Sequence, residues 1–194
     1  GALLVTPYYN KPSQDGIFQH FYEIAKSCKN MPIYLYNIPG RSVVEIEPDT
    51  IKRLSKISNI VGVKDATGDL NTPLETFNLC GNKFDQLSGE DSTYLAFLIS
   101  GGIGCISVTA NIIPKICANI FYAWGKKDIK TAMILNQKIF ELNKVLFIET
   151  SPSPIKYALS KLKKCENILR LPLVKVSKNT EIKIDKVLKR LNLI

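Results

Sequence analysis

The chain has little of what binds transition metals or staples small secreted folds. Its one histidine, His20, lies among Phe18, Phe21 and Tyr22 on a helical pattern, where a packed or capping ring is the ordinary reading and a metal site is not. The five cysteines, Cys28, Cys80, Cys105, Cys117 and Cys165, are odd in number, scattered and never spaced as C-x-x-C. That excludes a disulfide framework and a zinc site and makes a reducing cytoplasm the expected location. No apolar run is long enough to span a membrane, and residues 1–7 lack the charged segment and cleavage pattern of a signal peptide, so no membrane partner is expected. A starting methionine is also missing, and the strand-like opening gives the expectation that the chain begins in mid-fold. Acidic residues are outnumbered, 17 Asp and Glu against 26 Lys and Arg, for a net charge of +9. The lysines are nevertheless spread along the chain, without aromatic interleaving or a helix-turn-helix pattern, so nucleic acid is not an expected partner. Such a field suits the attraction of small anionic substrates.

What is present begins with 194 residues and 45% hydrophobic content, enough to bury a sizeable core in one domain or part of one. The most informative stretch is N-I-V-G-V-K-D-A-T-G over residues 59–68. Four apolar residues without polar alternation suit a strand covered on both faces, and the turn that follows leaves Lys64 at its C-terminal end. A lysine so placed can snorkel to solvent or pair with Asp65. It can also present an amine that attacks a carbonyl and forms a Schiff base.

Periodicity and breakers predict strands at 2–6, 32–36, 60–64, 85–88 and 105–108. The intervening helices start at Ser13 as cap, at Pro48, near Pro73 after Thr72 as cap, and at Ser92, while Pro39 and Gly40 mark a turn. Beyond Ala110 only helices are predicted, over 114–124, 129–147, 154–162 and 181–193. Five strands separated by helices, with no hairpin signal, form the pattern of a parallel α/β protein. Tyr9, Tyr36 and Lys64 recur at intervals of roughly 30 residues, about one βαβ unit each. In a (β/α)₈ barrel such positions surround a single mouth; in an open doubly wound sheet they do not, but no Gly-rich phosphate loop follows any strand.

An amine beside a phenol on the next strand fits carbonyl chemistry through an imine, with the tyrosine moving protons and Arg41 available as a carboxylate clamp. Singly, Tyr36 reads equally as a core aromatic, Arg41 as a surface turn residue, and Tyr8 and Tyr9 as loop packing. Their joint occurrence at successive strand ends points to a site.

The motifs V-T-P-Y-Y-N (5–10), Y-N-I-P-G-R (36–41), V-G-V-K-D-A-T-G (61–68), L-S-G-E-D (87–91) and G-G-I-G-C-I-S-V-T-A-N (101–111), in this order, resemble the dihydrodipicolinate synthase family of pyruvate-dependent class I aldolases. The resemblance spans essentially the whole chain. It implies the C-terminal part, about strands 4 to 8, of a (β/α)₈ TIM barrel over 1–125, with a C-terminal helical extension over 126–194. It further implies condensation of pyruvate with L-aspartate 4-semialdehyde in a homotetramer, with no cofactor beyond the covalent Schiff base through Lys64. By the same resemblance Tyr36 donates and accepts protons, and Tyr9 relays them into a neighbouring subunit's site. Arg41 holds the semialdehyde carboxylate, the backbone of Ile106 helps bind pyruvate, and Gly89 lies with the substrate-binding residues. The family's early paired-threonine motif has no counterpart here. A full barrel needs roughly 250 residues, so the first three strands are expected to be missing. Most of the family's lysine-feedback residues are absent, and Tyr8 matches one of them. N-acetylneuraminate lyase would share Tyr36 and Lys64 without an arginine two residues after the proline, and a truncated remnant or interaction subunit is the reading of a different class.

Overall fold

In a computed structural model, which describes residues Gly1–Ile194, the short apolar runs pair as β1 (Ala2–Val5), β2 (Ile33–Asn37), β3 (Ile60–Asp65), β4 (Asp85–Ser88) and β5 (Gly104–Cys105). All pairings are parallel and the order is β1-β2-β3-β4-β5, so neighbours in space are neighbours in sequence. The crossovers hold α1 (Gln14–Ser27), α2 (Pro39–Ser42), α3 (Pro48–Leu54), α4 (Asn71–Cys80) and α5 (Tyr94–Ile99). The chain packs as two compact units, Gly1–Ile106 and Ser107–Ile194. No helix is long and apolar enough to cross a membrane.

In the first unit one face of the sheet is sealed by helices. Ile33, Leu35 and Val63 form a buried cluster with Ile17, Phe21 and Ala25 of α1 and Ile51 and Leu54 of α3. The α1 residues recur every fourth position, which gives that helix its single apolar stripe, and each large side chain withdrawn from water contributes roughly 1.5–3 kcal/mol. Ser13 caps α1 by accepting from the Gly16 N–H at 3.3 Å, as its position predicts.

The second unit is helical: a 3₁₀ turn at Thr109–Asn111, then α6 (Pro114–Gly125), α7 (Ile129–Val145), α8 (Ser153–Lys161) and α9 (Lys178–Arg190). Its core is drawn from Ile120, Leu142, Leu146, Ile184 and Leu188, all fully buried. Asn143 is one of its buried polar residues, and its side-chain oxygen accepts from the Thr109 hydroxyl at 2.8 Å.

Several boundaries differ from expectation for local reasons. The turn at Pro39 is a one-turn helix, with proline at its first turn and the Ser42 hydroxyl donating back to the Ile38 carbonyl. Helix α4 starts before Thr72, because Asp69 accepts from the Asn71 N–H at 2.9 Å and leaves Thr72 buried within the helix. Helix α5 starts at Tyr94 rather than Ser92, whose hydroxyl donates to Glu90. Helix α9 starts three residues early, with Ser177 accepting from the Thr180 N–H. The last strand stops at Cys105 instead of Val108, since the Ser107 hydroxyl accepts from the Ala110 N–H at 2.8 Å and turns the chain into the 3₁₀ helix.

The opposite sheet face carries a strut. Tyr34 on β2 donates its hydroxyl to Asp85 on β4, passing over Gly62 on β3. A Cβ at Gly62 would lie 2.5 Å from the Asp85 carbonyl oxygen and 2.6 Å from the Tyr34 ring. Gly62→Ala is therefore expected to cost roughly 1–3 kcal/mol by overpacking, read as a lower urea midpoint at unchanged m-value.

Candidate active site

The register of β2 and β3 pairs Tyr36 with Lys64, and that of β3 and β4 pairs Lys64 with Leu87. Strand alternation places these side chains on the face away from α1 and α3, together with Tyr34, Gly62 and Asp85. Lys64 is only 9% exposed, and its Nζ lies 3.9 Å from the centroid of the Tyr36 ring. The two residues thus meet as the spacing anticipates, with the ammonium position over the phenol's π-face.

Gly89, just past β4, makes room for the lysine. A Cβ there would come 2.7 Å from the Ala66 Cβ and 3.0 Å from the Lys64 Cε, and the Gly89 N–H donates to the Asp65 carbonyl at 2.6 Å. The Ile106 N–H donates to the Ser88 carbonyl at 2.9 Å, so the backbone group Ile106 can offer a ligand is its carbonyl. Tyr36, Lys64, Gly89 and Ile106 consequently mark the C-terminal ends of four consecutive strands.

The other two candidates lie outside the strands. Arg41 lies on α2, five residues past Tyr36, with an exposed side chain. Tyr9 is 88% exposed on the loop between β1 and α1.

Three residues support the site, and of these only Asp65 was named from sequence, as a pairing partner for Lys64. Thr6 is fully buried, and both its N–H and its hydroxyl donate to the Tyr36 carbonyl, at 3.2 and 3.0 Å. Asn37, also fully buried, exchanges two bonds with Ile46: it accepts from the N–H at 3.0 Å and donates to the carbonyl at 3.1 Å. This closes the segment bearing Arg41 into a ring. Asp65 accepts from the Thr67 N–H and hydroxyl at 2.8 and 2.7 Å and so fixes the chain beyond Lys64. The only advance signal for these was polar residues inside otherwise apolar strand ends.

Electrostatics follow burial. Desolvation pushes the Asp65 carboxyl above its ordinary value, opposed by the two Thr67 bonds. The bond to Asp85, with burial behind it, pushes the Tyr34 phenol up to about 12. Burial and then the charges of Asp65 and Asp69 raise Glu45. No group of three or more His, Cys, Asp or Glu is placed to hold a metal. The arrangement offers an amine, a phenol and a glycine-lined space at strand ends, which is equipment for carbonyl chemistry.

Residues 1–191 match the model of the dihydrodipicolinate synthetase family. The chain is 49% identical over 194 residues to 4-hydroxy-tetrahydrodipicolinate synthase of Bartonella bacilliformis, covering 100% of this chain and 66% of that one. It is 53% identical over 173 residues to the enzyme of the same name from Rhodospirillum centenum, covering 89% and 59%. Among solved structures, dihydrodipicolinate synthase from Thermotoga maritima superposes with TM-score 0.97 at 37% identity, over 100% of this chain and 67% of that one. The Aquifex aeolicus enzyme gives 0.96 at 41%, over 100% and 66%. The chain thus spans about two thirds or less of the length of these curated relatives.

The raised Asp65 carboxyl gives a pH-dependent prediction. Its folded state holds the proton more tightly than the unfolded state, so its penalty is absent below the unfolded carboxylate range and grows as pH rises through the folded value. Asp65→Asn keeps an oxygen acceptor for Thr67 and removes the ionisable group. The variant's Tm is expected to exceed the parent's by about 2–4 °C at neutral pH, with the gap closing near pH 3 to 4. Thermal unfolding followed by circular dichroism at both pH values checks it.

Proposed function

The chain belongs to the dihydrodipicolinate synthetase family, and on that footing we propose that it serves the 4-hydroxy-tetrahydrodipicolinate synthase reaction. The substrates are pyruvate and L-aspartate 4-semialdehyde. The observation that carries the reading is Lys64 Nζ at 3.9 Å from the Tyr36 ring, on adjacent strand ends in direct register. The Lys64 amine attacks the pyruvate C2 carbonyl, and the carbinolamine loses water to form an iminium. Loss of a C3 proton gives the enamine, whose C3 forms a bond to the aldehyde carbon while the aldehyde oxygen takes up a proton. The semialdehyde's own amine then attacks C2, closes the ring and expels Lys64.

Tyr36 is the local proton carrier for these steps, and Arg41 the clamp for the semialdehyde carboxylate. The Ile106 carbonyl and the space at Gly89 receive pyruvate. Tyr9, largely exposed within its own chain, is suited to reach a neighbouring subunit's site in the homotetramer that the family resemblance implies. No cofactor is required, because the lysine itself is the electron sink. The five parallel strands form part of a (β/α)₈ barrel reaching to residue 125, with the helices of 126–194 as its extension. The five free cysteines fit a cytoplasmic setting. Arg41, two residues after Pro39, and the names of the relatives both favour the synthase over N-acetylneuraminate lyase.

Incubation with pyruvate and borohydride, followed by peptide mass spectrometry, should place the reduced adduct on Lys64, and Lys64→Ala should abolish it. An adduct on another lysine would overturn the assignment. In steady-state assays Tyr36→Phe should lower kcat by ~10² to 10⁴-fold. Arg41→Ala should instead chiefly raise KM for the semialdehyde. Matching losses of pyruvate trapping in both variants would contradict this division.

A further inference from the structure

The second unit contains a cleft that the proposed reaction does not use. It lies between α7 and α9, has a volume of about 350 Å³, and falls in the size range of small-ligand sites. Each helix lends one face at the same spacing: Glu141, Lys144, Val145 and Ile148 from α7 and the residue run beyond it, and Lys183, Lys186, Val187 and Arg190 from α9. Val145 and Val187 are buried and form an aliphatic floor with half-exposed Ile148. The cations stand exposed on both banks.

An ordinary solvated helix face interleaves its charges so that acids and bases pair along it. Here the two carboxylates of α9 are committed elsewhere: Glu181 pairs with Lys178 at 2.7 Å and Asp185 with Lys161 at 3.3 Å. None of Lys144, Lys183, Lys186 or Arg190 has a carboxylate within ion-pair distance, although Lys144 stands 5.5 Å from the Phe140 ring centroid. Four cations against one carboxylate, divided over two banks of an aliphatic trough, select by charge and by shape. No aromatic ring lines the cleft for a nucleobase to stack upon.

We propose that this cleft binds a small organic anion with an aliphatic body and an anionic group at each end, its chain on Val145, Ile148 and Val187 and its ends on Lys144 and on the α9 cations. Both features are needed. An aliphatic body alone lacks the second ionic contact, and a bare polyanion gains nothing from the floor.

Isothermal titration of the chain at low ionic strength tests this with three probes. These are suberate, octanoate with the same chain length and one carboxylate, and tripolyphosphate with charge and no aliphatic body. Suberate should bind at one saturable site at least about tenfold more tightly than either of the others. Lys183→Gln combined with Arg190→Gln should weaken suberate about tenfold. Lys115→Gln combined with Lys126→Gln, an equal charge change at exposed positions outside the cleft, should leave it within about twofold. Equal binding of octanoate would reduce the cleft to a greasy groove, and equal or tighter binding of tripolyphosphate would reduce it to a charge sink. Either result overturns the proposal, as does absence of saturable suberate binding or an equal loss in both double variants.

Discussion

The parallel pairing of β2 with β3 is the constraint on which the rest depends. In a parallel ladder a one-residue slip would turn every side chain of a strand to the other face. Here it would send Lys64 into the helix-covered core and bring Val63 out in its place. The register is protected twice on the core side. Ile33, Leu35 and Val63 fit only the apolar faces of α1 and α3, and Asn59 ties the entry to β3 by donating to the carbonyls of Ala25 and Cys28. Burial energy spread over many residues thus fixes the position of one amine, and no single contact to that amine is asked to do so.

A second layer of control acts on the strand ends. Thr6, Asn37, Asp65 and Ser88 are polar, buried, and bonded to nearby backbone, so each strand stops at a defined residue instead of fraying where the chemistry is proposed. Unpaired, such groups would be expensive in this environment, and paired they are rigid. Burial works against the charged form of Asp65, as its raised carboxyl indicates. The strut from Tyr34 to Asp85 provides the same stiffness across three strands on the opposite face.

Most of this architecture was legible in the sequence because it rests on periodicity. The α1 stripe, the continuous apolar run of β3 and the recurrence of Tyr36 and Lys64 are patterns that burial enforces and that a reader can count. What escaped notice depends on partners far away in the chain or on competition between short-range bonds. The roles of Thr6 and Asn37 exist only once Tyr36 and Ile46 carbonyls arrive beside them. β5 is short because a single serine hydroxyl captures the Ala110 amide, a choice no β-propensity reveals. Helix α4 begins ahead of Thr72 with no side-chain cap at Leu70, and Asp69, just before it, instead accepts from the Asn71 N–H, a local geometry that residue type does not reveal.

The two-way clasp between Asn37 and Ile46 has a consequence for how this fold can change. It isolates α2 and its neighbours as a cassette whose two ends are soldered together at a fully buried asparagine. Substitutions inside the cassette, at Arg41 or Gly40, leave the solder joint and the strand behind it untouched. The segment proposed to meet the second substrate can therefore drift through sequence space on its own, while the amine-bearing strands stay under the strict selection of the core. Variation in that segment is mechanically decoupled from the strands that carry Tyr36 and Lys64.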